Sequence, residues 1–143
     1  MAVRTASAEW NGDLEGGNGR FSAESGTFEG AYSFGTRFEE EAGTNPEELI
    51  AAAHASCFSM ALSLFLTQGG HEPESIRTQA HVHLLKEGEG FAIKKIELVT
   101  VGRVPGIDEA GFQKAAEGAK EGCPVSQALA AVPEITLHAR LES

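Results

Sequence analysis

Two cysteines, Cys57 and Cys123, are the residues best suited to chemistry in this chain of 143. Cys57 lies in the middle of a long uncharged run, NPEELIAAAHASCFSMALSLFLTQGG, Asn45–Gly70. A lone thiol in such a run is usually an inert core residue. Cys123 shifts that balance. It falls between Gly122 and Pro124 at the expected start of a helix, a position that stabilises a thiolate and keeps the sulfur at a surface or seam. The N-terminus, MAVRTASAEW, carries no apolar core segment, so a cytoplasmic protein is the expectation. Under reducing conditions a permanent disulfide is disfavoured. The two thiols are then inert, metal ligands, or a redox couple.

Arg37 comes next. A loop arginine is normally solvated, yet this one stands between Phe34 and Phe38 and ahead of Glu39, Glu40 and Glu41. A guanidinium so framed suits a defined anion, and a thiolate is one such anion. Glu47 is the expected partner that orients Arg37 through a two-bond pair; its plainer role is a first-turn carboxylate serving the helix dipole. His54 and Cys57 form an H-x-x-C pair, but a metal site needs about four ligands and no second close pair is present, so neither metal nor bound cofactor is expected. A cysteine hydrolase using Cys57 with His54 is a further possibility, without an oxyanion-hole signature to support it. His71, His81, His83 and His138 read as solvated.

The elements that must hold these residues follow from pattern. Asn45 caps the long helix, Pro46 takes its first position, and Gly69-Gly70 stops it. The run is long enough to cross a bilayer. Its Ala-rich composition, the interruptions by His54, Ser56, Cys57, Ser59 and Ser63, and the lack of a flanking basic cluster favour instead a helix buried on nearly all sides, in a fold or a dimer. Before it, Val3–Trp10, Arg20–Ser25 and Thr27–Tyr32 read as an antiparallel meander, followed by a loop, Ser33–Gly43. After it, Ile76–Lys86 alternates cleanly, Glu87–Gly90 turns, and Phe91–Val104 returns. Asp108 caps a helix with Phe112, Ala115, Ala116 and Ala119 on one stripe; Cys123-Pro124 opens a short one through Ala131; Ile135–Glu142 is a last strand. The class is α+β, in one domain spanning residues 1–143. A net charge of −10 argues against nucleic acid and anionic membrane as partners.

NPEELIAAAHASCFSMAL together with GCPVSQAL resembles the OsmC/Ohr family, the osmotically inducible and organic hydroperoxide resistance proteins. The meander, the Arg loop, the first-Cys helix and the second-Cys motif come in the family's order across nearly the whole chain. His54 ahead of Cys57 and the CPVS that begins at Cys123 resemble the OsmC branch more than the Ohr branch. The resemblance implies antiparallel sheets packed around a long buried central helix in an intertwined homodimer, found in the bacterial cytoplasm. It implies a thiol-dependent peroxidase preferring organic hydroperoxides, with Cys57 peroxidatic, Cys123 resolving, and Arg37 and Glu47 the activating pair. An external dithiol, of the lipoyl type by the same resemblance, is the expected reductant. Phe34, Phe38, Phe58 and Met60 are expected to supply an apolar substrate pocket. The rival is a non-enzymatic stress protein whose thiols sense oxidants or whose pocket binds an apolar ligand.

Helix geometry bears on the dimer. Glu47 and Cys57 are ten residues apart, which on a straight helix is about 15 Å along the axis and about 80° around it. Either the helix breaks between them, or Arg37 and Glu47 serve the Cys57 of a partner chain.

Overall fold

The computed structural model describes residues 2–142. Its contacts fall into two compact units, the first ending at Leu49 and the second beginning at Ile50.

The first unit is built on a three-stranded antiparallel meander of β1 (Ala6–Asn11), β2 (Asn18–Ala23) and β3 (Glu29–Tyr32). Pairing starts with Ala6 opposite Ala23, so the first strand opens later than the expected Val3; Val3 is exposed and precedes the ladder. Trp10, Gly19 and Tyr32 lie in one row across the three strands. Gly19 is required there: a Cβ on it would come within 2.6 Å of the Tyr32 ring and 2.7 Å of the Trp10 ring. The two rings instead close over it, 5.5 Å apart.

The expected loop Ser33–Gly43 contains a helix, α1 (Phe34–Phe38). A capping box makes it. The Thr36 amide donates to Ser33 Oγ at 3.2 Å, and the Ser33 amide donates to Thr36 Oγ1 at 2.8 Å. Thr in place of Glu or Gln at the third position hides this signature in the sequence. The Asn45 side chain then does two jobs. Its Oδ1 accepts from the Glu48 amide at 2.8 Å, capping the next helix, and its Nδ2 donates to the Thr36 carbonyl at 2.9 Å, tying that cap to α1.

That next helix, α2, runs Pro46–Gln68 without interruption. In the second unit β4 (Ser75–Glu87) and β5 (Gly90–Arg103) form a long hairpin, closed by Gly88 at φ 59°. α3 (Glu109–Gly122) and α4 (Pro124–Ala128) lead to β6 (Glu134–Leu141). Asp108 caps α3 by accepting from the Gly111 amide at 2.8 Å. α4 stops three residues short of the expected Ala131, because Leu129 leaves helical geometry. The sheet order is β4-β5-β6, with β6 parallel to β5; the expectation of purely antiparallel sheets is corrected there. The α3–α4 crossover allows the parallel return.

Phe58, Leu62 and Leu66 of α2 are fully buried with Leu98, Phe112, Ala116 and Ala119. They follow His54 at four-residue spacing and make one stripe. Burying each large side chain of that stripe is worth about 1.5–3 kcal/mol. The Phe112 ring lies on the backbone of Gly102, where a Cβ would come within 2.5 Å of it. On another face of α2, Met60 is 76% and Leu64 55% exposed. Within this unit α2 buries one stripe. By length and composition alone α2 could span a membrane, but the stripe in the second core gives it the packing of a core helix.

Candidate active site

In the second unit the two thiols meet. Cys57 projects from the fourth turn of α2 and is half-buried; Cys123, the residue before α4, is fully buried. Expected at a surface or seam, Cys123 is instead the more enclosed sulfur, since the turn from α3 into α4 folds it inward, its amide donating to the Ala119 carbonyl at 2.9 Å. Both thiols are free and lie within hydrogen-bonding reach of one another. Burial pushes the Cys57 thiol up, and so does its hydrogen bond to Cys123, against a smaller opposing effect of the Val125 backbone. At Cys123 burial also acts upward, but the Cys57 thiol, the amide and hydroxyl of Ser126 and the Val125 backbone together hold it below the ordinary value. The pair loses its first proton as a unit.

His54 is completely buried, and its Nε2 lies 2.7 Å from Ser126 Oγ. Burial lowers its pKa, so the ring is neutral. Ser126 was missed by sequence reasoning. The signal available was its position one turn after Cys123 at the helix cap. His83, expected to be solvated, is within 2.7 Å of Glu97 Oε1 across the hairpin.

In the first unit the expected Arg37–Glu47 pair is present as two parallel bonds, Nε to Oε1 at 2.9 Å and Nη2 to Oε2 at 3.1 Å. α1 carries the arginine and the first turn of α2 the nearly buried carboxylate. The guanidinium carbon stands 5.2 Å from the centre of the Phe38 ring, within cation–π range. The Phe34 and Phe38 rings lie 5.0 Å apart, tilted by 49°. These three residues line a cavity of about 240 Å³ with Trp10, Leu14 and Tyr32. The last three were not anticipated as lining residues; a lone Trp at a strand end beside a Gly-rich turn was the only hint. Phe58 and Met60, expected in the same pocket, belong to the second unit. Phe58 belongs to the buried stripe of the second core and Met60 points to solvent. Two residues apart on a helix, they lie about 200° around it from one another, so one cannot share the other's surroundings.

The comparisons bear on what this arrangement is. The family model described as OsmC-like protein matches residues 39–138. The chain belongs to the OsmC-like family. It is 56% identical over 137 residues to peroxiredoxin OsmC of Escherichia coli (strain K12), covering 95% of this chain and 94% of that protein. It is 34% identical over 96 residues to the organic hydroperoxide resistance protein of Xanthomonas axonopodis pv. citri (strain 306), covering 66% of each. The solved organic hydroperoxide resistance protein from Elizabethkingia anophelis shares the fold, with a TM-score of 0.74 at 24% identity over 99% of this chain and 98% of that one. The names of these OsmC-like relatives support a peroxidase-type role in oxidative stress.

Proposed function

We propose that this OsmC-like protein is a cysteine peroxidase that reduces organic hydroperoxides, and hydrogen peroxide more weakly, using no metal or bound cofactor. One observation carries the reading: its two cysteines, far apart in sequence, lie side by side as free thiols. The Cys57 thiolate attacks the distal peroxide oxygen; the O–O bond breaks, the alkoxide takes a proton and leaves as alcohol, and Cys57 becomes a sulfenic acid. Cys123 then attacks the Cys57 sulfur. The S–O bond breaks, water leaves, and a Cys57–Cys123 disulfide forms. An external dithiol, of the lipoyl type by family likeness, takes up the oxidation and restores both thiols. Half-buried Cys57 suits the first encounter and enclosed Cys123 the second. Residence in the reducing cytoplasm fits this cycle.

Arg37, oriented by Glu47, supplies the positive charge that holds Cys57 as thiolate, and the aromatic cavity beside Arg37 receives the alkyl group. Because α2 is helical at every position between Glu47 and Cys57, we assign the pair to the Cys57 of a second copy, in an intertwined homodimer. The uncovered Met60 and Leu64 on α2 support a partner chain there. Steady-state reduction of cumene hydroperoxide, tert-butyl hydroperoxide and hydrogen peroxide with dihydrolipoamide in excess tests the reading. Many turnovers, fastest with the organic substrates, are expected. A single stoichiometric reaction that then stops would make the protein a sensor instead. Cys57→Ser and Arg37→Ala chains, unfolded and refolded together, test the dimer: activity returns in the heterodimer if sites are shared, and stays absent if Arg37 serves its own chain.

A further inference from the structure

His54 is unused by the cycle above, yet it is fully buried and only half satisfied. Nε2 meets Ser126 Oγ, while Nδ1 is buried with no hydrogen-bond partner among the described residues. On the stripe shared with Phe58, Leu62 and Leu66, an aliphatic residue would bury no polar atom at all. A histidine that leaves one nitrogen unpaired costs stability there, which points to a use other than packing.

We propose that His54, acting through Ser126, is a positioning residue for the resolving thiol: His54 donates Nε2–H to Ser126 Oγ, which turns the serine's own proton toward the Cys123 sulfur. The inference rests on the proposed peroxidase cycle and adds a control on its second step.

The choice of tautomer decides the direction of the chain. If the proton were on Nδ1, a buried N–H would have no acceptor, a rare condition in folded proteins. With the proton on Nε2, the donor is used in the 2.7 Å contact and only an acceptor is left bare. Double protonation would put both a charge and an orphan N–H in the interior, and burial opposes it. The Nε2–H form is therefore favoured. A serine hydroxyl has one donor and two acceptor positions. With His54 donating into one lone pair, the hydroxyl hydrogen is left to point elsewhere. Ser126 stands at the third position of α4, one turn after Cys123 at its cap. The Ser126 hydroxyl does act on Cys123, and in the sense that favours its thiolate.

The step it assists balances within the protein. Cys123 gives up its proton, its thiolate attacks the Cys57 sulfenic sulfur, the S–S bond forms as the S–O bond breaks, and the departing hydroxide takes a proton to leave as water. Cys123 sulfur is oxidised and Cys57 sulfur reduced. His54 and Ser126 remain neutral throughout and gain or lose no proton.

Single-turnover oxidation with one equivalent of cumene hydroperoxide tests the relay. Samples are quenched in time, sulfenic acid is trapped with dimedone, and disulfide is followed by intact mass. Wild-type protein should pass through sulfenic acid to the Cys57–Cys123 disulfide. His54→Leu and Ser126→Ala should each lengthen the sulfenic acid's lifetime about tenfold, the value of one hydrogen bond to a charged group. Oxidation of Cys57 itself should change at most about twofold. His54→Gln, which keeps an N–H donor, should recover most of the rate, whereas a packing role would favour His54→Leu over it. Disulfide formation at the wild-type rate in both His54→Leu and Ser126→Ala overturns the inference alone. Should His54→Leu not fold, Ser126→Ala and His54→Gln decide. If wild-type protein forms no disulfide, the peroxidase reading itself falls, and the relay with it.

Discussion

The first unit holds a cation beside an aromatic cavity, and the second holds two thiols in a nearly neutral enclosure. Arg37 keeps about a third of its side chain in solvent and is locked by two bonds to a nearly buried carboxylate. Cys57 and Cys123 are governed by burial, by one another and by the turn into α4, and Cys57 is left harder to ionise than an ordinary thiol. Each region has what the other lacks. A guanidinium is always charged and tolerates partial exposure, so it can be carried on a five-residue helix. On the proposed cycle the charge that favours the Cys57 thiolate is Arg37 of a second copy. Substitutions that separate the two regions should have graded effects.

The largest effect is expected at the thiols. Cys57→Ser should abolish peroxide reduction. Cys123→Ser should complete one stoichiometric turnover and then stall as sulfenic acid, measurable by dimedone adducts in intact mass. If Cys123→Ser cycles at the wild-type rate with a dithiol donor, its resolving role is wrong and the second region reduces to a single reactive sulfur.

Arg37 is next. Arg37→Ala should slow the peroxide step about 10²-fold, the effect of removing one preorganised donor from developing charge. A nearby cation favours thiolate, so its loss must move the Cys57 alkylation midpoint to higher pH. Since the second unit alone already pushes Cys57 up, the midpoint in Arg37→Ala should lie above that of an ordinary thiol. Arg37→Lys should restore only part of the rate, because a lysine cannot make both bonds to Glu47. An unchanged alkylation profile in Arg37→Ala would detach the first region from the chemistry.

How far the sequence carried these arguments depends on how local each cause was. The Arg37–Glu47 pair was legible because both partners announce themselves by charge and by the aromatic frame around Arg37. The hairpin at Glu87–Gly90, the Asp108 cap and the stop at Gly69-Gly70 were legible for the same reason: each is set within a few residues. α1 was not, because its capping box uses Thr36 where the usual signature has Glu or Gln. The parallel pairing of β6 was hidden, since alternation in Ile135–Glu142 shows a strand and not its partner. His54 looked like half of a metal pair with Cys57; its actual partner, Ser126, lies beyond a hairpin and a helix in sequence. Phe58, expected to line a pocket, lies by helical spacing on the buried stripe with Leu62.

A smaller effect is expected in the second core. Gly102→Ala would drive a methyl group into the Phe112 ring, and overpacking of this kind costs about 1–3 kcal/mol. Urea unfolding should show that loss, while the rate per folded molecule stays near wild type, since neither thiol is touched. A stability equal to wild type would mean that Phe112 moves aside more freely than the close packing of α3 on β5 implies.

The smallest change tests whether the first region acts through geometry or only through charge. Ser33→Ala removes the side chain that caps α1 and leaves the Thr36 amide without its acceptor; a lost cap costs about 1 kcal/mol. Ser33 touches neither cysteine, and the substitution leaves the charges of Arg37 and Glu47 unaltered. If the guanidinium needs only to be in the neighbourhood, the peroxide step should be indifferent to Ser33. If it needs a fixed aim, loosening the helix that carries it should slow that step severalfold, less than Arg37→Ala does, and Ser33→Thr, which keeps the capping oxygen, should behave as wild type. The two measurements are a urea midpoint and the single-turnover rate of Cys57 oxidation. A lowered midpoint with an unchanged rate would show that Glu47 alone, through its two bonds, holds Arg37 in place, and that the five residues of α1 are a carrier rather than part of the aim.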